Sequence, residues 1–271
     1  MIKNVLVPID YSEASLNALD TAIHIAAINN ASLKIFHVND TMAGSEAPHV
    51  EAKTKVIFDT IAPKVLARYN VKSTTVSAEG IVGHAIINAV LEYKIDLIIM
   101  GSHGTSGGRN LFIGLNSYYT IKRATCPVLL IPEGKKWYEF GNVLFPIRPS
   151  LFTFRHYRLL DNLIKKNEKS SVVQFLGIAT EGNEEEAHQL ISILEEVKLK
   201  KQALKTALSF SFNSNPDIAE GVLSFAKQTR ADLLVISPGL DVISRPFFIG
   251  SFSQRMINHA KIPILSILRI S

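Results

Sequence analysis

The sequence predicts an α/β protein of two tandem domains, each an open, twisted, five-stranded parallel sheet flanked by helices. Three observations carry that prediction. Short apolar runs of strand length alternate with longer segments of helical periodicity, the pattern of parallel sheets with right-handed crossovers. The pattern then restarts: V-L-V-P-I at 5–9 is echoed by V-L-F-P-I at 143–147, and D-L-I-I-M at 96–100 by D-L-L-V-I at 232–236. Three later landmarks keep register, because Asp232, Gly250 and Ser253 each stand 136 positions after Asp96, Gly114 and Ser117. One constant offset of domain size points to duplication and not to a solenoid.

Taken in order, residues 4–9 form a first strand that ends at Asp10. A helix follows to about residue 29, with Ser12 as its N-cap. Residues 32–38 are the second strand, 39–49 a polar loop, and 50–69 a helix that Pro63 should kink or split. The third strand, 73–78, is more polar and belongs near an edge. A turn at 80–83 leads into a helix over 84–93. The fourth strand at 97–100 is apolar throughout, as strands buried on both faces are. A short helix over 115–123 and a fifth strand over 127–131 complete the first half. Residues 133–141, E-G-K-K-W-Y-E-F-G, read as a linker, giving domains 1–134 and 141–271.

Composition narrows the function classes. Of 271 residues, 47% are hydrophobic and 20% charged, which describes a globular chain with ample core. No apolar run reaches the roughly 18 residues of a membrane span, and the opening segment lacks the pattern of a signal peptide. The single cysteine, Cys126, excludes an intrachain disulfide and reads as a packed thiol. A cytoplasmic location is the default expectation. The net charge of +5 is scattered along helical patterns, and no nucleic-acid-binding signature is present.

Chemistry concentrates between Asp96 and Ser117, where the buried fourth strand runs into Gly101, Gly104, Gly107, Gly108 and then Gly114 before a helix. A strand, a glycine-rich loop and a helix start together make an anion site, since backbone N–H groups can approach a phosphate closely. The spacing Gly-x2-Gly-x9-Gly resembles the nucleotide loop of the universal stress protein family. That family is Rossmann-like, of the adenine nucleotide alpha hydrolase type. The family's Ser or Thr after the third glycine is Leu115 here, while Ser117 keeps the next hydroxyl. The resemblance implies ATP or another adenine nucleotide as ligand, with magnesium accompanying the phosphates. It implies that Asp10 meets the ribose and adenine side, and that Pro8, Val38 and Met100 line the nucleoside. Gly101, His103, Gly104, Gly114, Asn116 and Ser117 would surround the phosphates. It also implies a stress-response role with a protein partner. The last strands of the two halves would meet within one chain as a pseudo-dimer, and further pairing into a homodimer remains open.

The second half departs from that pattern. Arg148 takes the place of Asp10, while Ser237 and Leu240 replace the first two motif glycines; Gly250, Ser251 and Ser253 survive. Pro238 removes an N–H donor, and Arg148 or Arg245 could still hold some anion. An adenine nucleotide in the family pose is not expected there. No Walker P-loop, nucleophile elbow or Ser-His-Asp arrangement is visible, and His24, His37 and His84 lack metal-ligand spacing. Neither a catalytic residue nor a metal ligand is assigned, and the enzyme reading is weak. Three functions stay open: a nucleotide-dependent binding or sensing protein, a nucleotide-independent interaction protein with decayed sites, and a slow nucleotide hydrolase.

Overall fold

The computed structural model describes residues 2–40, 60, 63–65, 67–103, 114–134, 136–138, 140–147, 160, 163, 171–199, 207–237 and 251–267. The chain divides into two compact units, Met1–Tyr138 and Glu139–Ser271.

In the first unit the elements are β1 (Asn4–Pro8), α1 (Glu13–Asn29), β2 (Ser32–Asp40), β3 (Ser73–Gly80), α2 (Val82–Glu92), β4 (Leu97–Gly101), α3 (Leu115–Arg123) and β5 (Val128–Ile131). The sheet order is β3-β2-β1-β4-β5, with parallel pairing throughout. The chain therefore runs outward from β1 on one side, then returns to lay β4 on the other. The crevice between β1 and β4 is the switch point at which open sheets of this class present ligand sites. Val5, Leu6 and Val7 of β1 and Leu97, Ile98 and Ile99 of β4 have no exposed surface. Such two-sided burial is why these strands are continuous apolar runs. β3, in contrast, is only half-buried along its length and stands at the edge of this order.

Local signals set the helix ends. Ser12 caps α1, its Oγ accepting from the Ser15 N–H at 3.2 Å. Asn30 closes the helix in the left-handed conformation, donating its N–H to the carbonyls of Ala26 and Ala27. The turn expected over 80–83 is shorter than its sequence suggests. Gly80 alone takes positive φ, 122°, and α2 begins at Val82, two residues before the expected start. Gly83 lies inside the helix for a packing reason: a Cβ there would sit 2.6 Å from Cδ1 of Tyr119 on α3. β2 and β3 also run past their expected ends, because their ladder continues to the Asp40↔Gly80 pair. Of the helix expected over 50–69, residues 60, 63–65 and 67–69 are described, and all are helical. The remainder of that helix, with the loop at 41–49, lies outside the described residues.

The stretch read as a linker is in part attached to the first unit. Trp137 is 6% exposed, and its carbonyl accepts from the Thr21 hydroxyl at 2.8 Å. The Gly134 N–H donates to Glu13 Oε1 at 3.2 Å, and Lys136 pairs with Asp20 at 2.6 Å. The segment thus lies along α1. Burial of one indole outweighs the polarity of its neighbours.

The second unit repeats the plan with β6 (Asn142–Ile147), β7 (Val172–Thr180), α4 (Glu184–Leu199), β8 (Ala207–Asn215), α5 (Ile218–Gln228), β9 (Leu233–Ile236), α6 (Ser251–His259) and β10 (Ile264–Ser266). Its strands are ordered β10-β9-β6-β7-β8, again parallel. Among the described residues, no helix is long and apolar enough to cross a membrane.

Candidate functional site

The site is built where β1, β2 and β4 of the first unit end. Register sets the levels: Pro8 lies opposite Phe36 on β2, so Asp10 and Val38 stand two residues further at the same rim. Val5 and Leu6 pair with Leu97 and Ile98, which brings Met100 and Gly101 to that rim on the other side. Pro8 and Asp10 are half-buried, whereas Val38 is 9% and Met100 5% exposed.

Asp10 organises the start of α1. Its Oδ1 accepts from the Ser12 N–H at 3.1 Å and from the Ser12 hydroxyl at 2.6 Å. The Asp10 N–H donates to Ser15 Oγ at 3.3 Å. The aspartate thus folds the bend onto itself, as Asx turns do. A carboxylate offers about four acceptor positions in all.

Gly101 is a glycine for a reason the loop pattern alone does not give. A Cβ on it would stand 2.8 Å from Ala14 Cβ and 3.0 Å from the Ser15 nitrogen. The first turn of α1 therefore rests on the end of β4, and only a bare backbone admits it.

The two ends of the glycine loop are tied together. The Gly114 N–H donates to the Ser102 carbonyl at 3.1 Å, and the Ser117 hydroxyl donates to the Gly101 carbonyl at 2.9 Å. These bonds hold the start of α3 against the end of β4. Gly114, the N-cap, supplies no side-chain hydrogen bond to the helix. The first-turn N–H groups of α3 have no intrahelical partner by construction, and the helix dipole favours negative charge there. Asn116 is half-buried at this start, Ser117 is 4% exposed, and Leu115 is 87% exposed. At the other loop end, His103 Nδ1 lies 2.9 Å from Ser102 Oγ. Gly104, Gly107 and Gly108 fall outside the described residues.

Sequence reasoning named Asp10, Gly101 and Ser117 but not the bonds that bind them into one rim. It did not single out Ser102, and it weighed His37 only for metal-ligand spacing, whereas its Nδ1 sits 2.8 Å from the Ile9 carbonyl. Among the described residues, no three His, Cys, Asp or Glu side chains gather as metal ligands do. Cys126 is 5% exposed, and burial first, then the charge of Asp96, pushes its thiol up to about 12. A thiol so disposed is inert near neutral pH.

In the second unit Ser237 stands at the position of Gly101, and its hydroxyl donates to the Ile267 carbonyl at 3.2 Å. Ser253, at the position of Ser117, has no exposed surface and no hydrogen-bond partner for its hydroxyl among the described residues. Arg148, Pro238, Leu240, Arg245 and Gly250 lie outside the described residues, as does the side chain of Ser251.

Comparison with known proteins agrees with this fold. The family model described as "Universal stress protein family" matches residues 1–132. Universal stress protein YxiE of Bacillus subtilis is 31% identical over 147 residues, spanning 48% of this chain and 99% of that relative. The chain belongs to the universal stress protein family. A second family member, universal stress protein A homolog 1 of Coxiella burnetii, is 30% identical over 138 residues, covering 48% of this chain and 95% of its own length. The crystal structure of a universal stress protein from Archaeoglobus fulgidus matches 98% of both chains with a TM-score of 0.76 at 18% identity. That likeness shows a shared fold over both halves.

Proposed function

We propose that the first unit binds ATP or another adenine nucleotide, and that the protein acts as a nucleotide-dependent binding or sensing protein of the cytoplasmic stress response. The observation that carries this reading is the pair of bonds at Gly101–Ser117 and Ser102–Gly114, which hold the start of α3, where Gly114 supplies no side-chain cap, against the end of β4 on the rim that Asp10 shares. An uncapped helix start suits phosphate, and a carboxylate across the crevice suits ribose hydroxyls or an exocyclic amine. In this reading Asp10, Pro8, Val38 and Met100 take the nucleoside. Gly101, His103, Gly104, Gly114, Asn116 and Ser117 take the phosphates, largely through the main chain. The Ser117 hydroxyl already spends its proton on Gly101. Magnesium would arrive with the phosphates, which together with water supply most of its ligands.

The stress role rests on family membership. Denaturing freshly purified protein and chromatographing the supernatant tests the nucleotide claim. An adenine nucleotide approaching one equivalent per chain is expected, with much less from Asp10→Ala. Absence of nucleotide, together with no binding of added ATP, ADP or AMP, contradicts the reading. A second reading, a nucleotide-independent interaction protein, draws on Leu115, whose 87% exposure places an apolar side chain at the solvent edge of the helix start. The same nucleotide assay separates the two.

A further inference from the structure

Ile9, Asp10 and Tyr11 form the bend between β1 and α1, and β2 grips that bend twice. The Ile9 N–H donates to the Phe36 carbonyl at 2.8 Å, carrying the ladder one residue past β1. The Ile9 carbonyl meets Nδ1 of the next residue on β2, His37, at 2.8 Å. A carbonyl oxygen only accepts, so Nδ1 carries the proton. His37 is 6% exposed, and its ring centroid lies 5.2 Å from that of Tyr11. Tyr11 sits at φ 65°, a left-handed conformation that costs a non-glycine residue free energy and persists only where its surroundings impose it. Asp10 stands between Ile9, which β2 grips, and Tyr11, which the His37 ring touches; directly after His37 stands Val38.

We propose that His37 is a positioning residue for the nucleoside end of the site. Its Nδ1–H fixes the Ile9 carbonyl and its ring backs Tyr11. Together these contacts hold Asp10 at a set distance and orientation from Val38 across the β1–β2 rim. The inference rests on the nucleotide reading above and deepens it. Histidine suits the task because one rigid ring supplies both an N–H at a fixed angle and a flat face for the tyrosine. An aliphatic residue would fill the space but leave the Ile9 carbonyl without its donor, and the bend would lose one of its two grips. Ligand recognition by Asp10 would then have to be preceded by ordering the bend, at the expense of affinity.

Three measurements on the full chain test this. In ligand-free protein carrying 15N-labelled histidine, the imidazole spectrum of His37 should show a protonated Nδ1; an unprotonated Nδ1 overturns the inference. His37→Leu should weaken adenosine, AMP and ATP by the same factor, about tenfold, the scale of one lost hydrogen bond, because the defect lies at the part they share. His37→Asn, whose amide N–H can reach the same carbonyl, should recover most of that loss at a matching melting temperature. Unchanged binding by His37→Leu, or an Asn variant no better than the Leu variant, overturns the inference. If His37→Leu does not fold, the Asn variant decides alone: affinity within about threefold of native supports the role, and a larger loss refutes it. Failure of the native chain to bind any of the three ligands contradicts the parent reading. Native binding left intact by His37→Leu contradicts this inference alone.

Discussion

The two units share their foundations and differ at their rims. In the first, Asp96 Oδ2 accepts from the N–H groups of Lys3 and Asn4 at 2.8 and 2.9 Å. In the second, Asp232 accepts from those of Gly141 and Asn142 at the same distances. Asn4 Nδ2 donates to the Lys94 carbonyl, and Asn142 Nδ2 to the Thr229 carbonyl. These bonds join the start of the central strand to its neighbour at the end of the sheet away from the candidate site. At the site end the correspondence stops. Gly101 gives way to Ser237, and the Ser117 tie to a buried Ser253 whose hydroxyl has no partner among the described residues. A duplicated scaffold needs its strand-start bonds in both copies to fold, whereas a rim can drift once its ligand is no longer required. The difference therefore lies at the rims, with the same fold in both units.

The largest effect should come from the shared foundation. Asp96→Ala and Asp232→Ala each remove a carboxylate that serves two backbone N–H groups, so each should destabilise by about 1.5–3 kcal/mol. Denaturant unfolding should give similar losses for the two; a large loss in one unit alone would break the equivalence of the foundations.

Gly101→Ser sharpens the comparison at the rim. It places in the first unit the residue the second already carries, but against Ala14 and Ser15 at contact distances of 2.8–3.0 Å. Overpacking of this kind costs about 1–3 kcal/mol, and nucleotide binding should fall with it because the α1 bend must move. Thermal melting and titration on one preparation measure both.

The two helix serines should then separate. Ser117→Ala leaves the Gly101 carbonyl without its donor and should cost about 0.5–1.5 kcal/mol. Ser253→Ala removes a buried hydroxyl that has no partner among the described residues, so it should be neutral or mildly stabilising. Equal losses would mean that the second rim is as well built as the first.

Leu115 offers the smallest test. Serine restored at this position should tighten ATP by about 0.5–1.5 kcal/mol, the net worth of one hydrogen bond, and barely move AMP. A native preference for ATP over AMP beyond about tenfold, roughly 1.4 kcal/mol, would show that the missing hydroxyl impairs nothing.

How much of this was legible in the sequence depended on whether one residue type could serve two purposes. The central strands were legible, since burial on both faces demands continuous apolar runs such as 97–100. So was α3, whose bounds at Leu115 and Arg123 coincide with the expected helix. The entry to α2 was misjudged because Gly83 signals a turn in sequence, yet serves Tyr119 in space. The strand ends at Asp40 and Gly80 were underestimated because pairing between two strands, not local propensity, prolongs them. The loop glycines were visible as a spacing, and Asp10 by its place at the end of the first strand. The bonds from Ser117 to Gly101 and from His37 to Ile9 were not, because a buried hydroxyl or imidazole with one long-range partner leaves no periodic trace.

The central proposal is that the first unit binds an adenine nucleotide and the second does not. Calorimetric titration of the full chain with ADP, repeated on Asp10→Ala, tests this most directly. The account predicts saturation at one nucleotide per chain, and binding weaker by about 1–3 kcal/mol in the variant, the range for a lost hydrogen bond to a charged group. Two equivalent sites per chain, or an Asp10→Ala protein that binds as the native one does, would contradict it.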